Sequence, residues 1–188
     1  INDIIDISKI ESGYMNINIE RFRLIEIVDS IKSIIVNQIS QYEKEIEFVV
    51  NCRQDLDTII IESDPLRIKQ ILLNLCTNSV KFTEAGSIEL NINYSSNNII
   101  FSVTDTGVGI PPQFFNTIFE RFRQVDENLF RKNVGTGLGL SITKSLVHML
   151  KGEISVTSQL GRGSTFTITM PLPSSEINNK SRIFNSGL

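Results

Sequence analysis

Apolar residues recur along this chain at two spacings, and the switches between them lay out its elements. Residues 24–41 place Leu24, Ile27, Val28, Ile31, Ile34, Ile35 and Ile39 three or four apart, which predicts an amphipathic helix. Residues 15–20 alternate strictly and predict a strand, and two more strands are expected at 45–51 and 58–62. Asp64-Pro65 then opens a helix, because the carboxylate can cap free amides and proline suits a first turn. That helix runs to about Phe82 on a stripe of Ile68, Ile71, Leu72, Leu75 and Val80. A hairpin follows at 87–95 and 98–104, with Ser-Ser-Asn-Asn at its turn. Residues 105–137 show no long regular pattern and predict a long mobile loop, with mobility greatest at 122–137. A helix resumes near Leu138 and stops before Gly152, and strands at 153–158 and 164–170 close the pattern.

This order of elements implies an α/β sandwich, a mixed sheet covered on one face by helices. Residues 1–12 form a short helical stripe ending at Gly13, too short to be stable alone. It reads as the end of a longer helix, and the chain, which opens in mid-pattern without Met, reads as a piece of a longer protein. From Pro173 the sequence is polar and reads as linker or tail. The expected division is therefore 1–13, 14–172 and 173–188.

Composition narrows the chemistry. The 188 residues carry a net charge of −3, which argues against a broad nucleic-acid surface. Cys52 and Cys76 fit neither a metal spacing nor a disulfide framework, so a reducing compartment is expected, with Cys76 a buried thiol. No apolar run approaches the roughly 20 residues that span a bilayer. His148, the single histidine, lies among apolar residues of the last helix and reads as structural.

Three clusters carry candidate chemistry. Asn74 and Asn78 are one helical turn apart and share a face, with Lys81 near it. Amide oxygens suit a hard cation such as Mg²⁺, and an ammonium beside them can meet phosphate, although the same face could be ordinary solvated surface. Asp105 ends an apolar strand and is followed by Gly107 and Gly109. A carboxylate there can accept from the exocyclic amine of adenine, and the glycines would let backbone approach a flat ring. The bland reading is a turn after a strand; no second Asp-Thr-Gly is present to make an aspartic protease. Gly135-Thr136-Gly137-Leu138-Gly139-Leu140 leads into a helix, where free amides favour an anion. It is neither a Walker motif nor a dinucleotide fingerprint.

With these residues in view, the chain resembles the catalytic ATP-binding domain of sensor histidine kinases, within the superfamily shared with DNA gyrase and a heat-shock chaperone. The segment from Asp64 to Thr83 looks like that family's N box, Asp105 to Ile110 its G1 box, Phe119 to Phe122 its F box, and Gly135 to Leu140 its G2 box. The resemblance implies the Bergerat fold, a two-layer α/β sandwich with a mixed sheet and a long lid over ATP. It implies Asn78 and Asn74 as Mg²⁺ ligands, and Asn74, Lys81 and Arg131 as catalytic groups at the phosphates. Asp105 would read adenine; Gly107, Gly109, Ile110 and Phe82 would shape the base pocket. Gly135, Thr136, Gly137, Leu138, Gly139 and Leu140 would line the triphosphate, with Phe119 and Phe122 anchoring the lid and Thr165 contributing from the last strand.

The resemblance also implies γ-phosphoryl transfer to a histidine on a phosphoacceptor domain of the same protein, and onward to a receiver domain or response regulator. Ile1 to Gly13 looks like the end of that domain's second helix; the histidine-bearing helix does not occur in this sequence. A monomer is expected for this piece, a homodimer for the parent, and a cytoplasmic location even for a membrane-anchored parent. Arg121 departs from relatives that carry Pro, and Gln124-Val-Asp126 is of the type found in hybrid kinases. The alternatives are a non-catalytic nucleotide switch of the same fold and an ATP hydrolase. Asn74 stands where the hydrolases carry an acid and cannot activate water as a base.

Overall fold

The computed structural model describes residues 2–52, 58–95, 97–123 and 136–171. Its centre is a five-stranded sheet built from β2 (Glu45–Cys52), β4 (Ala85–Ser95), β5 (Asn98–Asp105), β6 (Glu153–Gln159) and β7 (Gly163–Pro171), in the spatial order β2-β4-β5-β7-β6. Only β2 and β4 run parallel; the other three pairs are antiparallel, so the sheet is mixed as expected. The exception follows from the connection, which returns from β2 to β4 through a helix and not through a tight turn.

Helices α2 (Leu24–Gln41), α3 (Pro65–Phe82) and α4 (Gly139–Met149) cover one face of this sheet. Burial alternates accordingly along β5, with Ile99, Phe101, Val103 and Asp105 inside and Asn98, Ile100, Ser102 and Thr104 on the other face. On α3, Ile68, Ile71, Leu72 and Leu75 are almost wholly buried. Each such side chain contributes about 1.5–3 kcal/mol, so the helix cannot roll about its axis without large cost. Its polar face is thereby fixed in direction.

Both ends of α3 are pinned. Asp64 Oδ1 accepts from the Arg67 amide at 3.0 Å, the cap expected from the sequence, while Oδ2 accepts from the Asn18 amide at 2.9 Å. At the other end the Lys44 ammonium donates to the carbonyls of Val80 (2.8 Å), Lys81 (3.3 Å) and Thr83 (2.7 Å). Carbonyls at a helix C-terminus lack intrahelical partners, and a cation there also complements the helix dipole.

The strand expected at 15–20 lies elsewhere: β1 is Glu20–Arg23, paired antiparallel with β3 (Ile60–Ser63) in a small separate sheet. The alternating segment before it is not laddered, because its amides go to other partners, Met15 to the Lys9 carbonyl and Asn18 to Asp64. The opening helix α1 (Asn2–Glu11) packs on α4, lays Ile7 and Ile10 against the core, and bonds to the domain through three acids as well. Asp3 accepts from the Thr136 hydroxyl at 3.2 Å, Asp6 from the Gln70 amide at 2.7 Å, and Glu11 pairs with Arg121. Between β5 and α4 the described chain forms a single 3-10 turn at Pro112–Phe114; the mobile loop expected at 122–137 falls mostly outside the described residues.

Candidate functional site

Asp105 is the last residue of β5 and is 6% exposed. Its Oδ1 accepts from the amides of Gly107 (2.9 Å) and Ser164 (3.2 Å), and its Oδ2 from the Ser79 hydroxyl (3.2 Å). Burial raises its pKa above the ordinary carboxylate value, and these three hydrogen bonds to the charged form act in the opposite sense. A strand end, the turn after it, β7 and α3 therefore converge on one acid.

The same helix carries the amide pair. Asn74 and Asn78 lie one turn apart on α3, both half-buried, with Lys81 and Phe82 in its last turn. The Lys81 ammonium sits 4.9 Å from the centre of the Phe82 ring, and burial lowers its pKa. The Asn74 side-chain amide donates to the Thr143 hydroxyl of α4 at 2.7 Å. Among the described residues no group of three or more His, Cys, Asp or Glu could hold a metal. Two amide oxygens fit a hard cation that draws its remaining ligands from water and phosphate.

The loop after Asp105 is shaped by close backbone approaches. A Cβ on Gly107 would strike the Phe82 carbonyl, which itself accepts from the Val108 amide at 3.2 Å. Gly109 has φ +71 and lies against the Gln159 carbonyl. Both glycines were expected to make room for a ring; the space of their missing side chains is filled instead by α3 and by the β6–β7 turn. What the two glycines do here is let the loop fold against those backbones. Ile110 is half-buried on the core and its amide donates to Ser158 at 2.7 Å.

At the start of α4, Thr136 is exposed, Gly137 and Gly139 are half-buried, and the Gly137 carbonyl accepts from the Phe122 amide at 3.1 Å. Leu138 is buried in the core and Leu140 is packed against it, so only their backbone could face a triphosphate. Phe119 is anchored, edge-on to Phe166 with ring centres 6.4 Å apart. Phe122 is not: it adopts φ +59 and its side chain is 73% exposed, so its backbone and not its ring ties the two segments together. Arg131 and Gly135 lie outside the described residues. His148 is exposed on α4.

Thr165 is on the wrong side of the sheet for the role expected of it. Its hydroxyl lies 3.1 Å from that of Thr104 on the face away from the helices. The residue paired with Asp105 across the strands is Ser164. Strand parity could have shown this, since Ser164 is in phase with Phe166, Ile168 and Met170. Ser79 and Thr143 carry a similar signal: each falls in the buried stripe of its helix, with Leu75, Cys76 and Val80 on α3 and with Ile142, Leu146 and Val147 on α4.

Fold and site together define an α/β domain in which one helix, α3, both supports the buried acid at the end of β5 and carries the amide pair. Residues 63–174 match the model of the histidine kinase-, DNA gyrase B- and HSP90-like ATPases, and the chain belongs to that family. It is 41% identical over 176 residues to hybrid signal transduction histidine kinase B of Dictyostelium discoideum, covering 91% of this chain and 9% of that protein. Signal transduction histidine-protein kinase BarA of Escherichia coli is 38% identical over 171 residues, covering 88% and 18%. The crystal structure of full-length ShkA in complex with AMPPNP superposes with a TM-score of 0.77 at 29% identity, covering 91% of this chain and 35% of that one. The chain is thus an ATP-binding domain of the histidine-kinase catalytic type, and it spans a small part of the relatives' length.

Proposed function

We propose that this domain binds ATP with Mg²⁺ and donates its γ-phosphoryl group to a histidine on a phosphoacceptor domain of the same protein. The observation that carries the reading is the buried Asp105 carboxylate, oriented by Gly107, Ser164 and Ser79 on a frame that also fixes Asn74 and Asn78. Asp105 accepts from the adenine amine, Asn78 and Asn74 hold the cation, and Lys81 meets the phosphates. Arg131 and Gly135 complete the phosphate end. Mg²⁺ neutralises charge on the phosphates; the chain's own residues bind, orient and screen. In the transfer the bond from γ-phosphorus to the bridging oxygen breaks, an N–P bond to the imidazole forms, ADP leaves and the imidazole proton goes to solvent.

α1 is the end of the phosphoacceptor domain's second helix, 14–172 the catalytic domain and 173–188 a linker. A receiver domain or response regulator takes the phosphoryl group onward; one relative is itself named a hybrid kinase. The catalytic piece is monomeric, the parent homodimeric, and both work in the cytoplasm. Among the described residues no helix is long and apolar enough to cross a membrane.

The test has two arms. Calorimetric titration with ADP and Mg²⁺ should show binding that Asp105→Ala weakens by about 1.5–3 kcal/mol, the worth of a hydrogen bond to a charged group, and that Asn78→Ala weakens only while metal is present. Supplying the phosphoacceptor domain in trans with γ-labelled ATP should label its histidine. Binding indifferent to both substitutions refutes the pocket; intact binding without labelled histidine refutes the transfer and leaves a nucleotide switch.

A further inference from the structure

Asn74 is gripped at both ends of its amide by α4. Its nitrogen donates to the Thr143 hydroxyl at 2.7 Å, and its oxygen lies against Gly139, where a Cβ would come within 2.5 Å of it. Gly139 and Thr143 are one turn apart on that helix, so they present to α3 from the same face. Thr143 is 1% exposed, and a β-branched side chain in a helix has few rotamers, so the hydroxyl has a fixed position.

We propose that Thr143, with the gap left by Gly139, is the positioning residue that sets which end of the Asn74 amide is offered to the metal–nucleotide complex. This rests on the pocket proposed above and adds to it a residue on another helix. The reasoning is electrostatic. A cation binds the amide oxygen and is repelled by the amide nitrogen, and the two differ only by rotation about one bond. A helical threonine can give its own proton to a carbonyl one turn back, which leaves its oxygen as an acceptor. Committing Nδ2 to that acceptor leaves Oδ1 as the amide's one ligand atom and fixes its direction. The same contact ties α3 to α4, so the cation-binding face of α3 is registered against the glycine-rich entry to α4. Gly139 thus makes room for a side chain that the phosphates need, a role different from lining them itself.

The test compares nucleotide affinity with excess Mg²⁺ and with chelator, in the same protein. Thr143→Val keeps the shape and removes the acceptor. It should cost about tenfold in affinity with Mg²⁺, the low end for losing a residue that orients a metal ligand, and leave affinity in chelator nearly unchanged. Thr143→Ser should restore the metal-dependent part. Asn74→Ala combined with Thr143→Val should bind no more weakly than Asn74→Ala alone. Thermal melting checks folding, and Thr143→Ala serves the same comparison if the valine variant does not fold. Equal loss with and without metal, no loss at all, or additive losses in the double variant would overturn the proposal. If wild-type binding is also insensitive to Asp105→Ala, the pocket itself is wrong; if it is sensitive while Thr143→Val is silent, only the role of Thr143 is.

Discussion

Ser79 and Asp105 meet across the helix–sheet interface, with the α3 hydroxyl donating to the β5 carboxylate at 3.2 Å and both residues buried. Neither is an apolar core residue, yet each occupies a core position of its element. This buried polar pair is where the packing of the domain and the recognition chemistry proposed for it become one problem.

The first prediction concerns pH. Burial holds the Asp105 carboxyl above its ordinary value of about 3.9, so the folded chain binds that proton more tightly than the unfolded chain. The stability this contributes is complete below the ordinary value and is lost as the pH rises through the raised one. Asp105→Asn keeps an acceptor for the two amides and cannot ionise. Its stability relative to wild type, from urea unfolding, should therefore improve as pH rises through that window and then level off. The same variant should bind adenine nucleotide about tenfold or more weakly, as expected for losing a charged acceptor. Parallel stability profiles for the two proteins would show that burial of the charge costs nothing here.

Lys44 offers a second. It is not an exposed salt-bridge residue, since its ammonium spans three carbonyls at the end of α3 and its side chain is 13% exposed. Its contact with Glu84 at 3.4 Å is to a largely exposed carboxylate and counts for little. Lys44→Met retains the aliphatic stem and strips the donors, and should destabilise the domain by about 1–3 kcal/mol, the cost of unsatisfied buried acceptors. Glu84→Ala should cost well under 1 kcal/mol, as surface pairs do. Denaturant midpoints for the two variants check the ordering, and reversal would mean that the exposed pair holds Lys44.

The cysteines separate by reactivity. Cys76 is buried on α3 and burial pushes its thiol up to about 12, whereas Cys52 near the sheet edge is half-buried. Thiolate is the reactive form. In native protein a maleimide should modify Cys52 first, and Cys76 only when denaturant is added. Mass mapping of the labelled peptide checks this; early labelling of Cys76 would reveal local opening of α3.

Much of this architecture was legible in residue order. α2 and α3 appear at residues 24–41 and 65–82 as expected, because eighteen-residue stripes average out local ambiguity. Asp64 caps as its position before Pro65 suggests. The alternating segment before Glu20 misled, since alternation reports an extended chain and says nothing of which strand, if any, supplies its hydrogen bonds. Within the candidate site, the positions of Asp105, Asn74, Asn78 and Lys81 on their elements could be read from motif and spacing. Lys44 and the true partners of the glycines could not. Those depend on which backbones approach within van der Waals contact, and the sequence does not display such distances between segments that are far apart along the chain. Ser164 lay between these cases: its phase was readable, but the adjacent Thr165 drew attention for its residue type.

Because α3 carries Ser79 as well as Asn74 and Asn78, only about 1.5 Å of helix axis separates the hydroxyl that supports Asp105 from Asn78, and about 7.5 Å separates it from Asn74. A rigid rod transmits any tilt to both at once. In the pocket proposed above, affinity for the base and affinity for the metal-bound phosphates are therefore geared together, and a mutation or partner that swings this rod would be expected to scale the two in proportion, leaving side chains from the neighbouring elements as the means of adjusting one alone.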